Sequence, residues 1–91
     1  MKISEEKRKK ISEHIISFLY SNAQRPLFTS FIAKEMARDE EFVKKLLLEL
    51  KHKKLVIEVR KNPKGKEYKR RSRWKLSDAT YSAYKRLDKP Q

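Results

Sequence analysis

The sequence contains no cysteine and only one glycine. Without cysteine the chain has no disulfide, no thiolate nucleophile and no thiolate zinc site. No apolar run approaches the roughly 20 residues that a membrane-spanning helix needs, and the first ten residues lack the apolar stretch of a secretory signal. We therefore expect one cytoplasmic domain over residues 1–91, with a frayed tail at about 88–91.

Acidic residues are also scarce relative to basic ones. The 12 Asp and Glu oppose 25 Lys and Arg, which gives a formal net charge of +13. Such a charge repels itself in the compact state and attracts polyanions, of which nucleic acid is the commonest and an anionic membrane surface is another. A solvated surface without a polyanionic partner is the plain alternative. Asn and Gln number four beside abundant Lys, Arg and Glu, a bias also found in heat-adapted proteins.

Apolar spacing predicts three helices in the first 54 residues. The first runs from about Ser4 to Ser21, and the second from a cap at Thr29 to about Ala37. The third follows a cap at Asp39 and runs from Glu40 to Lys54. One face of the third helix is apolar and carries Val43, Leu46, Leu47 and Leu50.

After Lys54 the apolar period changes from helical to two, which predicts a strand over 55–60. The segment Asn62–Gly65 indicates a turn, and a return strand follows. The expected register places apolar residues of both strands on one face: Ile57 opposite Trp74, Leu55 opposite Leu76, and Glu58 opposite Arg73 on the outer face.

A fourth helix, capped by Ser77 or Asp78, is predicted to run to about Leu87, with Ala79, Ala83, Tyr84 and Leu87 facing inward. The residues expected in the core share the periodic apolar faces of these elements. They are Ile15, Phe18, Ile32, Val43, Leu47, Leu50, Ile57, Trp74 and Leu76.

Three segments carry a resemblance to a known family. They are the segment 28–36, the run from Val43 through Leu50 to Ile57, and the segment 73–78. Together they resemble the winged helix-turn-helix family, especially its small MarR-like and ArsR-like regulators. The resemblance implies an α+β fold with three helices, a two-stranded basic wing and a C-terminal helix, in which the third helix and the wing bind nucleic acid.

Two features depart from the family pattern. The family usually has Gly where this chain has Lys54, so a left-handed residue there carries a Cβ penalty. The third helix is entered through Asp39, Glu40 and Glu41, where many DNA-reading members carry Ser, Thr, Gln or Arg.

The hairpin holds the strongest local signal for function. Nine basic residues and one acid, Glu67, lie between Arg60 and Lys75. A merely solvated hairpin would mix the signs, whereas phosphates supply the missing counter-charge. Tyr68 is the candidate for stacking on a base. The candidate nucleic-acid-binding residues of the hairpin are Arg60, Lys61, Lys64, Lys66, Tyr68, Lys69, Arg70, Arg71 and Arg73.

The outer face of the third helix is a second candidate. Lys44 and Lys45 have the reach to contact phosphates or guanine edges. Leu48 has three open interpretations: a contact to a thymine methyl, part of a protein interface, or one ordinary exposed leucine. The basic run at residues 7–10 fits either phosphate contacts or the solvated side of a helix.

No constellation of catalytic residues is visible. His14 and His52 lie on different predicted helices, and no glycine-rich phosphate loop accompanies them. We expect no enzymatic activity, no cofactor and no metal. The leading interpretation is a homodimeric protein that binds double-stranded DNA as a transcriptional regulator or architectural protein. The alternatives are an RNA-binding or ribosome-associated winged helix and a protein-interaction module.

Overall fold

The computed structural model describes residues 4–60 and 72–88. Within them the expected α+β fold, a helical first half followed by antiparallel strands and a last helix, is confirmed. The predicted turn at Asn62–Gly65 and most of the frayed tail lie outside the described residues. The elements are α1 (Glu5–Ser21), β1 (Leu27–Phe28), α2 (Thr29–Met36), α3 (Glu40–His52), β2 (Val56–Val59), β3 (Arg73–Leu76) and α4 (Asp78–Asp88).

Three of the four predicted helix caps form. At the last helix, the Ser77 hydroxyl accepts a hydrogen bond from the backbone N–H of Thr80 at 3.3 Å. The Ser4 side chain accepts a hydrogen bond from the backbone N–H of Lys7 at 3.2 Å. Asp39 accepts from the N–H of Glu41 at 3.1 Å and of Phe42 at 3.3 Å. The predicted cap at Thr29 is wrong, because Phe28 is the N-cap of α2 and Thr29 is already its first helical residue.

The core lies where α1, α2 and α3 pack against one face of the sheet. Of the residues expected there, seven are buried. Phe18 is only half-buried and stacks on Phe31 with ring centroids 5.8 Å apart. Ile57, which is 40% exposed, was wrongly predicted as core. The buried apolar residues are Ile15, Ile16, Leu19, Leu27, Ile32, Ala33, Met36, Val43, Leu46, Leu47, Leu50, Val56, Trp74 and Leu76.

The sheet has three strands in the order β1-β3-β2, all antiparallel. The two-residue strand β1 was not predicted. Val56 lies opposite Leu76, Glu58 opposite Trp74 and Val59 opposite Arg73, so the predicted register of the hairpin is wrong by one residue. This shift places Val56 in the core and turns Ile57 outward, because successive residues of a strand face opposite sides.

The end of α3 explains the register shift. Lys54 has a φ of 65°, and its N–H donates to the carbonyl of Lys51 at 2.8 Å, while the N–H of Leu55 donates to the carbonyl of Leu50 at 2.9 Å. This pair of bonds is the Schellman motif, with Lys54 in the left-handed position where glycine is favoured. Leu55 therefore belongs to the helix cap, and the strand starts one residue later than the period-two pattern predicts.

The last helix begins at Asp78 as predicted, but a different face is turned inward. Thr80 is buried and Tyr84 is half-buried, whereas Ala79 and Ala83 are exposed and Leu87 is 83% exposed. The inward assignment was therefore right for Tyr84 and wrong for the other three residues. In the part of the chain that the structure describes, no helix has the length and apolar character to cross a membrane.

Candidate nucleic-acid interface

The outer face of α3 presents three of the predicted residues to solvent. Lys44 and Lys45 are exposed, and Leu48 is 42% exposed. The opposite face of the same helix is fully buried at Val43 and Leu47. Packing of that apolar face orients the two lysines and Leu48 away from the core, so that they are accessible to a partner lying along the helix.

The first turn of α3 is acidic and exposed. Asp39, Glu40 and Glu41 are all accessible, and Asp39 caps the helix. Carboxylates at a helix N-terminus are stabilised by the unpaired N–H groups and by the helix dipole. These acids therefore have a structural function, and they also oppose the approach of a phosphate to this end of α3.

The two hairpin arginines that the structure describes, Arg60 and Arg73, differ in their exposure. Arg60 is exposed at the end of β2. Arg73 is half-buried on the outer face of the sheet, with its guanidinium carbon 5.8 Å from the ring centroid of Phe28, close enough for a cation–π interaction. Seven candidates of the hairpin lie outside the described residues: Lys61, Lys64, Lys66, Tyr68, Lys69, Arg70 and Arg71.

Glu58 is a residue that the sequence reasoning misplaced. It lies on the core-facing side of β2, and only 9% of its side chain is exposed. Lys51 Nζ, from the last turn of α3, lies 2.8 Å from Glu58 Oε1. The Ser72 hydroxyl donates a hydrogen bond to Glu58 Oε2. Because the predicted register placed Glu58 on the outer face opposite Arg73, no sequence signal identified these contacts.

The Glu58 carboxylate stays ionised because its partners outweigh its burial. Burial by itself raises the pKa of Glu58, but the hydrogen bonds from Lys51 and Ser72, together with the charges of Lys51 and Arg60, lower the pKa below the ordinary value of 4.5. Glu58 therefore carries a negative charge at the base of the basic hairpin at neutral pH.

One residue of the basic run at positions 7–10 of α1 has a structural role. Arg8 pairs with Glu49 of α3, lies 3.9 Å from Glu5, and places its guanidinium carbon 6.0 Å from the ring centroid of Phe42. It therefore holds α1 against the side of α3 that carries Phe42 and Glu49. Lys7, Lys9 and Lys10 are exposed.

The histidines do not form a site. His14 and His52 are both exposed and lie on α1 and α3. Among residues 4–60 and 72–88, no three His, Asp or Glu side chains lie close enough to hold a metal ion.

The arrangement of these elements matches solved structures of bacterial regulators. A MepR–DNA complex from S. aureus matches with a TM-score of 0.71 at 25% sequence identity, over 85% of this chain and 59% of that one. S. aureus MepR, described as a transcription regulator of the multidrug efflux pump MepA, matches with a TM-score of 0.65 at 25% identity, over 85% of this chain and 55% of that one. A variant of Lactococcus lactis ZitR matches at 0.65 and 17% identity, over 96% of this chain and 51% of that one.

The chain has the MarR-like winged helix-turn-helix fold. The winged-helix resemblance drawn from the sequence is thereby confirmed. In this fold α2 and α3 form the helix-turn-helix, and β2 and β3 are the strands of the wing. The chain spans between half and two thirds of the length of the solved winged helices that it matches. No protein-family model and no curated protein matches the sequence.

Proposed function

We propose that this chain binds double-stranded DNA through the outer face of α3 and the basic wing, as a non-enzymatic transcriptional regulator or architectural protein that acts as a homodimer. The observation that carries the proposal is the match to MepR in complex with DNA, at a TM-score of 0.71 over 85% of this chain. The charge of +13 supports the same class of partner.

The chemistry of the exposed residues fits phosphate binding better than base reading. Lys44, Lys45 and Arg60 are exposed cations, and the segment 61–71 adds six Lys and Arg against one Glu. Such residues neutralise phosphates and release condensed counterions, which supplies affinity without sequence preference. The acidic first turn of α3 weakens base reading by that end of the helix, so we expect sequence preference to be modest.

A protein-interaction module is the second candidate, and exposed apolar side chains favour it. Phe31 is 47% exposed, Leu48 is 42% exposed and Ile57 is 40% exposed. Single exposed apolar residues are ordinary on a protein surface. The DNA proposal has the stronger physical basis, because nine basic residues and one acid between Arg60 and Lys75 attract a polyanionic partner.

Competition binding decides between DNA, RNA and protein as partners. A fluorescent DNA duplex of about 20 base pairs is bound first, because that length holds two half-sites about one helical turn apart. Unlabelled duplex DNA, double-stranded RNA or single strands are then added as competitors. We expect duplex DNA to compete best and, at low salt, two chains to bind each duplex. Stronger competition by double-stranded RNA would favour the RNA-binding alternative. Weak binding of all three nucleic acids would favour the protein-interaction module.

A further inference from the structure

One carboxylate at the base of the wing joins three elements of the fold. Glu58 on β2 binds Lys51 at the end of α3 through one oxygen and Ser72, directly before β3, through the other. The end of α3, the second half of β2 and the start of β3 therefore meet at a single side chain. We call this group of Glu58, Lys51 and Ser72 the wing clasp.

A contribution to the free energy of folding does not by itself explain the wing clasp. Only 9% of the Glu58 side chain is exposed, whereas 50% of the Lys51 side chain is. The Glu58 carboxylate therefore loses most of its hydration for a partner that stays half exposed, and such a pair is weak evidence of stabilisation. The wing clasp differs from an apolar contact in being directional. Apolar contacts tolerate sliding, whereas hydrogen bonds are directional. The bond from Ser72 fixes the Glu58 carboxylate relative to the start of β3, and the bond from Lys51 then links α3 to that fixed carboxylate.

We infer that Glu58 is a positioning residue that fixes the angle between α3 and the wing so that both contact the same duplex. The inference rests on the proposed function. A duplex presents phosphates in a rigid array. The clasp joins α3, which carries the exposed Lys44 and Lys45, to β2, which the exposed Arg60 directly follows. A small rotation at the base of the wing displaces its far end by more, which costs phosphate contacts on one side.

The variant Glu58→Gln separates this inference from simple electrostatics. Gln has nearly the same shape, but it weakens the bond to Lys51 and raises the net charge by one. If Glu58 acted only through its charge, removing a negative charge would strengthen binding to DNA. Positioning predicts the opposite sign: affinity for a DNA duplex should fall about tenfold, the size expected for one lost hydrogen bond to a charged group.

Matched variants complete the binding experiment. Glu35→Gln removes an exposed acid of α2 and changes the net charge equally, and we expect equal or slightly tighter binding. Ser72→Ala removes the other bond of the clasp without any change in charge, and we expect weaker binding. Circular dichroism and urea unfolding at the assay temperature verify that each variant is folded. Duplex binding by folded Glu58→Gln that equals or exceeds the parent's would overturn the inference and leave the proposed function intact.

A second measurement is independent of nucleic acid. Residual dipolar couplings of backbone amides report the orientation of α3 and of the strands β2 and β3 in the free protein. In the parent, one alignment tensor should fit both sets of amides. In Glu58→Gln we expect the two sets to need different tensors or different degrees of order. One common tensor in the variant would refute the positioning role, even if the protein proved to bind no nucleic acid at all.

Discussion

The indole N–H of Trp74 donates a hydrogen bond of 2.7 Å to the hydroxyl of Thr29. Trp74 is fully buried on β3, and Thr29 is buried at the start of α2. The bond links β3 of the wing to α2, the first helix of the helix-turn-helix, on the core-facing side of the sheet. It also explains why Thr29 does not cap α2, because its hydroxyl faces the tryptophan.

The first prediction concerns this bond. Thr29→Val keeps the shape of the side chain but leaves the buried indole N–H without its acceptor, which should lower the free energy of unfolding by about 1–3 kcal/mol. Thr29→Ser keeps the hydroxyl and serves as the control, with a smaller loss from the missing methyl group. Urea unfolding followed by Trp74 fluorescence measures both. Equal stability of the parent and the valine variant would show that the bond contributes nothing.

The second prediction concerns the left-handed residue at the end of α3. Lys54 has a φ of 65°, which costs a residue with a Cβ about 1 kcal/mol. Lys54→Gly should therefore raise the free energy of unfolding by up to about 1 kcal/mol, less the entropy that glycine adds to the unfolded chain.

Lys53→Gly is the matched control for this position. Lys53 has a φ of −81°, which any residue adopts, so glycine there should only destabilise. Both variants lose one exposed lysine, and their difference in denaturant midpoint isolates the backbone effect. Two variants of equal stability would contradict the assigned role of Lys54.

The same helix end shows how far the sequence predicts this fold. The helices follow from strong apolar periodicity, and Val43, Leu47 and Leu50 are buried as that pattern requires. The hairpin register does not follow from the sequence. Leu55, Ile57 and Val59 form a clean apolar alternation, yet the core-facing residues of β2 are Val56 and Glu58. Only the Schellman cap, which uses Leu55, decides which set faces the core, and it depends on Lys54 adopting a conformation that its residue type disfavours.

The sequence predicts one part of the candidate site and misses another. Exposure of Lys44, Lys45 and Leu48 follows from the helical pattern and is observed. The wing clasp was not predictable, because it requires the correct register and the spatial approach of Lys51 to Glu58. Burial of Arg73 beside Phe28 depends on β1, a strand of two residues, which is too short to leave a period in the sequence.

The third prediction concerns the pH dependence of stability. The pKa of Glu58 is lowered in the folded state, so its contribution to stability is present above the unfolded pKa and is lost as pH falls through the folded pKa. The parent should therefore be more stable than Glu58→Gln at pH 7, and the difference should shrink as the pH is lowered below the ordinary value of 4.5. Urea midpoints of both proteins between neutral and acidic pH measure it, and a constant difference would contradict the assignment.

The fourth prediction concerns salt. If about 6–10 phosphates are neutralised in each complex, affinity for duplex DNA should fall on the order of a thousandfold or more between about 50 and 200 mM salt. Fluorescence anisotropy titrations at several salt concentrations give the slope. Affinity that barely changes with salt would exclude phosphate neutralisation as the main source of binding.

The fifth prediction compares the wing with α3 by variants of equal charge change. Arg70→Ala with Arg71→Ala removes two charges of the wing segment, and Lys44→Ala with Lys45→Ala removes two from the outer face of α3. Arg73 is left in place because its half-buried guanidinium packs on Phe28. Lys85→Ala with Arg86→Ala removes two exposed charges of α4 and is the control.

We expect the wing pair to lose the most affinity, because the acidic first turn of α3 already weakens phosphate binding near Lys44 and Lys45. The salt slope should fall by about one for each phosphate contact removed, and the loss should be similar for every duplex sequence. A change in sequence preference in the α3 pair would instead mean that these lysines read base edges. The α4 pair should bind nearly as the parent does. If the folded wing pair bound duplex DNA as tightly as the α4 pair, the basic wing would not be the site, and the protein-interaction function would become the better proposal.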